Sequence, residues 1–372
     1  MVTFVVFILI LSVLVMIHEF GHFYAAKKSG VFVEEFGFGL PPKIFGKKYG
    51  ETIYSFNLLP FGGFVKLLGE EDLESSKDTR NFMHKHPLQR AFILVAGVLM
   101  NVALALFLYY VFFFINGFKS LNVPVFFDYQ FKYGNPVYTN TVVTSYAPDS
   151  PAELAGIKRG EAIVKINDEF VNSVDDVRRV VNDSKETLIK ITLQDVRSPT
   201  VKSRDVLLRP MEEDGVKLLG VLLTPSVQLD YTNGKVLSAP KHAYNMLAYS
   251  LTTFKRVLGF SVETRDVGPV SNSVSGPIGI FSVVDNILEY KGRAAVLGII
   301  DLIALLSLSL ALLNILPFPA LDGGRLLFVL IEFILGGRRV PSYIEASLHK
   351  WGMLFLLLLI VLVTYKDIVT FF

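Results

Sequence analysis

Four long apolar stretches punctuate the chain, at about residues 2–24, 91–115, 295–317 and 343–365, the last narrowing to a clean core from Trp351 to Tyr365. Each comes close to the roughly 20 apolar residues that a helix needs to cross a bilayer, which predicts four spanning helices. Between the second and third lies a region of about 180 residues with ordinary soluble composition, long enough for an independent domain. In the shorter first connection, alternation over Thr52 to Leu58 and the apolar run Phe64 to Leu68 predict strands, with Gly62-Gly63 as a turn able to take positive φ. Lys241 to Ser261 carries apolar residues at helical spacing with lysine and arginine among them, as in a helix lying at a membrane interface. The expected fold class is a polytopic α-helical membrane protein with a membrane-associated β element and an inserted extracytoplasmic domain.

Composition agrees: 372 residues, 52% hydrophobic, mean hydropathy +0.48 and 31 phenylalanines are a membrane protein's balance. The first span has no basic leader region and no small-residue cleavage site, so it reads as a retained helix rather than a signal peptide. The net charge of +2 says little about partners, and no nucleic acid is expected. Its distribution says more. Lys27, Lys28, Lys43, Lys47, Lys48, Lys66, Lys77, Arg80, Lys85 and Arg90 lie between the first two spans, and Arg338 and Arg339 precede the last. The excess of positive charge places both connections in the cytoplasm, and therefore both termini and the inserted domain outside. With no cysteine, disulfides and thiolate metal sites are excluded, so a metal must use histidine and carboxylate ligands.

The candidate chemistry starts at the cytoplasmic end of the first span, His18-Glu19-Phe20-Gly21-His22. At about 100° per residue, His18 and His22 lie about 40° apart on one helix face, with Glu19 beside them. Two imidazoles can then share one Zn²⁺ while the carboxylate serves as general base. The plain alternative is a pair of interfacial histidines and a snorkelling glutamate. A third ligand has a candidate in Asp322, within Asn314-Ile315-Leu316-Pro317-Phe318-Pro319-Ala320-Leu321-Asp322-Gly323-Gly324, where two prolines interrupt an apolar helix. An ionisable side chain at that depth needs a partner or a cation; the bland reading is a turn ending the helix.

These two motifs, in this order and each in an apolar span, resemble the site-2 protease family of intramembrane zinc metalloproteases. Within it the chain is similar to the bacterial branch typified by the regulator of sigma-E protease. Gly37-Phe38-Gly39, Leu59 to Lys66, Ala96 to Asn101 and Ser275-Gly276-Pro277-Ile278-Gly279 add to the likeness. The resemblance implies His18, His22 and Asp322 as zinc ligands and Glu19 as the catalytic carboxylate. It implies Asn314 as a substrate or transition-state contact, and the β element, at Gly62, Gly63, Phe64 and Val65, as a substrate-binding edge. It further implies cleavage of single-span membrane proteins, of the anti-sigma-factor or signal-peptide-remnant type, within a bacterial cytoplasmic membrane. Gly97 and Asn101, four apart, share a face of the second span, read as a close-packed, hydrogen-bonded interface with the first helix, next to the active site and without a catalytic role. Oligomeric state is not legible.

The run from Val142 to Val181 has the order of a bacterial PDZ domain: strand, the helix Pro151 to Ala155, the strand Ala162 to Ile166, a turn at Asn167-Asp168 and the helix Val174 to Val181. Strands at Thr187 to Leu193 and Val206 to Leu208 complete it. The expected divisions are 1–30, first span; 31–90, β element; 91–118, second span; 125–225, a single PDZ domain acting as a gate or binding peptide ends; 226–293, linker with the interfacial helix; 294–335, third span; and 336–372, fourth span. A non-catalytic membrane PDZ adaptor and a metal transport protein are the alternatives from other functional classes. His84, His86, His242 and His349 are read as solvated.

Overall fold

The computed structural model describes residues 1–70, 78–196, 203–213 and 215–371, so Lys77 lies outside the described residues. The chain begins with α1 (Val2–Lys28), β1 (Val33–Tyr49), β2 (Thr52–Leu67) and α2 (Pro87–Ile115). There follow β3 (Val123–Pro124), β4 (Asn135–Tyr146), α3 (Pro151–Leu154), β5 (Glu161–Ile166), β6 (Glu169–Phe170), α4 (Val174–Asp183), β7 (Ile189–Asp195), β8 (Arg204–Leu208), β9 (Met211–Glu213), β10 (Val216–Leu218) and β11 (Val221–Asp230). The remainder is helical: α5 (Ser238–Thr264), α6 (Gly268–Ser273), α7 (Pro277–Leu288), α8 (Arg293–Ile315), α9 (Asp322–Ile334) and α10 (Ser342–Phe371). Two compact units result, one of Met1–Tyr109 with Met246–Phe372, the other of Tyr110–Asn245.

In the first unit α1, α2, α8 and α10 are long and apolar enough to cross a membrane. Their apolar residues face outward in large part, as lipid-facing surfaces do, while small residues let the helices meet. A Cβ on Gly21 of α1 would lie 2.9 Å from the Gly97 Cα of α2, so the two backbones approach as closely as glycine permits. The expected third span of 294–335 is instead two helices. Pro317 and Pro319 cannot continue α8, and the chain turns through Ala320, at φ +80°, before α9 begins at Asp322.

The β element is more elaborate than the expected strand, turn and strand. Residues 33–38 pair with 63–67 on one side and with 53–56 on the other, and 43–49 pair with 52–57. The segment 63–67 is therefore an outer strand with an open edge among the described residues. Gly62, at φ +93°, makes the reversal that lets β2 serve both sides of β1. The element is not confined to the helix end: Ser12 Oγ donates to the Pro60 carbonyl at 2.6 Å, so β2 follows α1 to a level about 9 Å above His18.

The second unit is built on a sheet in the order β3-β11-β4-β5-β7-β8, with α3 and α4 closing its apolar face over Val143, Ile163, Ile166, Ile191 and Leu208. Ser150 and Ser173 cap α3 and α4 by accepting from the Glu153 and Asp176 amides. The helices and strands expected between 142 and 208 are present, with ends shifted by at most two residues. A groove of about 280 Å³ runs beside α4, lined by Val174, Val177, Val181, Leu219, Val221 and Leu223.

Candidate metal centre

The single helical turn between His18 and His22 points both Nε2 atoms to one place, 3.1 Å apart. Asp322 Oδ2, from the first turn of α9, lies 3.0 Å from His18 Nε2 and 3.3 Å from His22 Nε2. Donors on a tetrahedral zinc with bonds of about 2.0–2.1 Å sit about 3.3 Å apart. The triangle fits that group: one cation satisfies all three edges at once, and two nitrogens with a carboxylate oxygen are a donor set suited to zinc. Both histidines are buried, at 8% and 9% exposure.

The neighbouring helix shapes the triangle. His22 Nδ1 lies 2.8 Å from the Ile93 carbonyl of α2, which accepts its proton and leaves Nε2 bare. Gly97, one turn on, is where both rings rest: a Cβ there would clash with His22 Nε2 and stand 2.8 Å from Cε1 of each ring. Another turn on, the Asn101 amide stands 3.3 Å from His18 Nδ1. Gly323 and Gly324 perform the same service for α9, since a Cβ on either would strike carbonyls of the preceding loop.

Glu19, His22 and Asp322 open on a cavity of about 560 Å³ whose other walls include Phe64, Val65, Lys66 and Leu67 of the outer strand. Gly63 is pressed on α1, its would-be Cβ 2.9 Å from Met16 Sδ and 3.6 Å from Glu19 Cγ. Asn314, on the last turn of α8, holds its Nδ2 3.4 Å from His18 Nε2. Every residue of the expected ligand and catalytic set thus meets at one place, and Gly62 to Val65 run beside it. Arg325, one turn after Asp322, is ion-paired with Glu70 on the same cavity.

Residues 6–359 match peptidase family M50, the site-2 protease family. The chain belongs to that family. Similar proteins, each provisionally named a zinc metalloprotease, occur in Clostridium perfringens (33% identical, covering 97% of each chain) and Clostridium acetobutylicum (31%, covering 98% of this chain and 97% of the relative). A Staphylococcus aureus protein of the same provisional name is 26% identical over all of this chain and 99% of its own. Membership of M50 brings zinc as the cofactor, a metallopeptidase chemistry and a membrane setting.

Other parts of this M50 peptidase hold the site in place. His349 of α10, expected to be solvated, accepts from the Ala320 amide at 2.9 Å, fixing the turn that delivers Asp322. Gly276 and Gly279, from the motif Ser275 to Gly279, donate to Asp367 Oδ2 at 2.8 and 2.9 Å, tying the start of α7 to α10. In the 110–245 unit, His242 is also not solvated: it is 1% exposed and packs on Tyr231 and Phe113, and burial pushes its pKa down to about 3. His84 and His86 are exposed, as expected. The close-packed, hydrogen-bonded interface expected of Gly97 and Asn101 with the first helix is present. The available signal was an amide in an otherwise apolar span, four residues from a glycine.

Proposed function

We propose that the chain hydrolyses peptide bonds within the transmembrane segments of single-span membrane proteins, using zinc held by His18, His22 and Asp322. The convergence of these three donors from helices some 300 residues apart, with Glu19 at their side, carries the reading. A zinc ion held by these three side chains would supply Lewis acidity toward a peptide carbonyl and toward water. Glu19 takes the proton of the attacking water and returns it to the leaving amine. Asn314 donates its amide N–H to the developing oxyanion. A helical peptide bond is shielded by its own turn, so the substrate must be extended to react. The free edge of residues 63–67 can hold it so by strand addition.

Within the 110–245 unit, residues 125–225 are read as a single extracytoplasmic PDZ domain that screens substrates by the size of their outer domains. The active site then lies toward the cytoplasmic side of a bacterial inner membrane, and anti-sigma factors or signal-peptide remnants are the substrate classes. The test is cleavage of such a substrate in proteoliposomes by the wild type, Glu19→Gln and Asp322→Ala, with zinc measured in each. Glu19→Gln should keep zinc and lose cleavage, and Asp322→Ala should lose both; a Glu19→Gln variant as active as wild type refutes the mechanism.

A further inference from the structure

We propose that Asn101 is a positioning residue for the metal centre, holding the His18 imidazole in the tautomer and orientation that aim a bare Nε2 at the donor triangle. The inference rests on the reading of His18, His22 and Asp322 as ligands. A ligating imidazole nitrogen carries no proton, so the other nitrogen does and needs an acceptor. For His22 that acceptor is the Ile93 carbonyl. For His18, whose Nε2 faces Asp322 and His22, the polar partner of Nδ1 among the described residues is the Asn101 side chain at 3.3 Å.

The amide has two ends, exchanged by a half-turn about its last torsion. With Nδ2 toward His18, the arrangement suits an imidazole whose proton sits on Nε2, inside the triangle, and Oδ1 is then buried without a partner. With Oδ1 toward His18, the amide accepts the Nδ1 proton and Nε2 is bare. A cation in the triangle is compatible with the second orientation alone.

Packing does not account for this side chain. Asn101 is fully buried in an apolar span, where an amide is costly. The tie from α2 to α8 is made by its backbone, whose carbonyl accepts from Ser307 Oγ at 2.8 Å. Residues 93, 97 and 101 lie four apart on one face of α2. That stripe provides the acceptor for His22, the space for both rings and the partner for His18.

The experiment measures zinc affinity of the full chain in detergent by chelator competition, with the visible spectrum of the Co²⁺-substituted protein, for wild type, Asn101→Leu and Asn101→Asp. Leucine should weaken zinc about 10- to 100-fold and alter the Co²⁺ spectrum, whereas aspartate, which can only accept, should hold zinc at least as tightly as wild type. A leucine variant within about two-fold of wild type, or equal weakening in both variants, overturns the proposal. Should the leucine variant not fold, aspartate decides: wild-type affinity upholds the role, and weak binding or failure to fold overturns it. Absence of zinc from the wild type would sink the ligand reading itself. Zinc lost in Asp322→Ala but unchanged in Asn101→Leu would sink only the role of Asn101.

Discussion

Replacing Gly97 by alanine adds one methyl group to the face of α2 on which the rings of His18 and His22 rest. The new carbon would stand 2.8 Å from Cε1 of His18 and of His22, and closer still to His22 Nε2. Carbon atoms settle at about 3.5 Å, so the rings must retreat by about 0.7 Å or α2 must back away from α1. The second route would open the close contact of Gly21 with Ala96 and Gly97, so either response disturbs how α1 and α2 together present the two rings. Metal sites tolerate about 0.2 Å in their bond lengths, so the displacement is several times what the triangle can absorb. Losing an outer hydrogen bond to a ligand costs about 10- to 100-fold in affinity, and moving two ligands should cost at least about 100-fold, or 2.7 kcal/mol. The assay is metal content and chelator-competed zinc affinity of purified Gly97→Ala, with Gly259→Ala as control, since a Cβ at 259 meets nothing within 4 Å. Gly97→Ala with stoichiometric zinc at wild-type affinity would refute the claim that α2 shapes the centre.

Gly63→Ala separates the substrate edge from the metal. The added carbon would fall 2.9 Å from Met16 Sδ and 3.0 Å from the Gly37 carbonyl, pushing the outer strand off α1. Cleavage of a transmembrane substrate should drop about 10- to 100-fold with zinc content unchanged, given the sensitivity of rate to displacements of about 1 Å; an unaltered kcat/KM would remove the strand from substrate positioning. In the outer unit, His242 is the sole histidine between residues 110 and 245, and it is neutral in the folded state because burial pushes its pKa down to about 3, below its ordinary 6.5. Stability is therefore full above pH 6.5 and falls as the pH drops toward 3, by about 2 kcal/mol between pH 7 and 5. Hydrogen exchange of amides in this unit should show that loss in the wild type and a flatter profile in His242→Phe; identical profiles would contradict it.

How much was legible follows from what each signal depends on. Four spans are written in runs of apolar residues because a bilayer demands length and hydrophobicity whatever the neighbours are. The pair His18 and His22 was equally plain, since one helical turn fixes their relation locally. The strands and helices of the second unit also lie nearly where likeness to the order of a bacterial PDZ domain placed them. The β element was only half legible: the turn at Gly62 is as expected, but the double use of residues 33–38 is a pairing between segments, which periodicity within a segment cannot encode.

What the sequence by itself determined is therefore a membrane peptidase's inventory: spans, an inserted domain, two imidazoles, and carboxylates at the right depth. Tertiary structure decided which of these meet. Asp322 reaches His18 because Pro317, Pro319 and the left-handed Ala320 break α8, and because His349 holds the turn. The sequence already set Gly97 and Asn101 against the first helix, but their distances to the rings of His18 and His22 follow from how closely α2 crosses α1 at Gly21. The physical reason is range. Propensity and hydrophobicity act within a few residues, whereas a donor triangle with edges near 3 Å is set by contacts between segments that the chain keeps hundreds of residues apart.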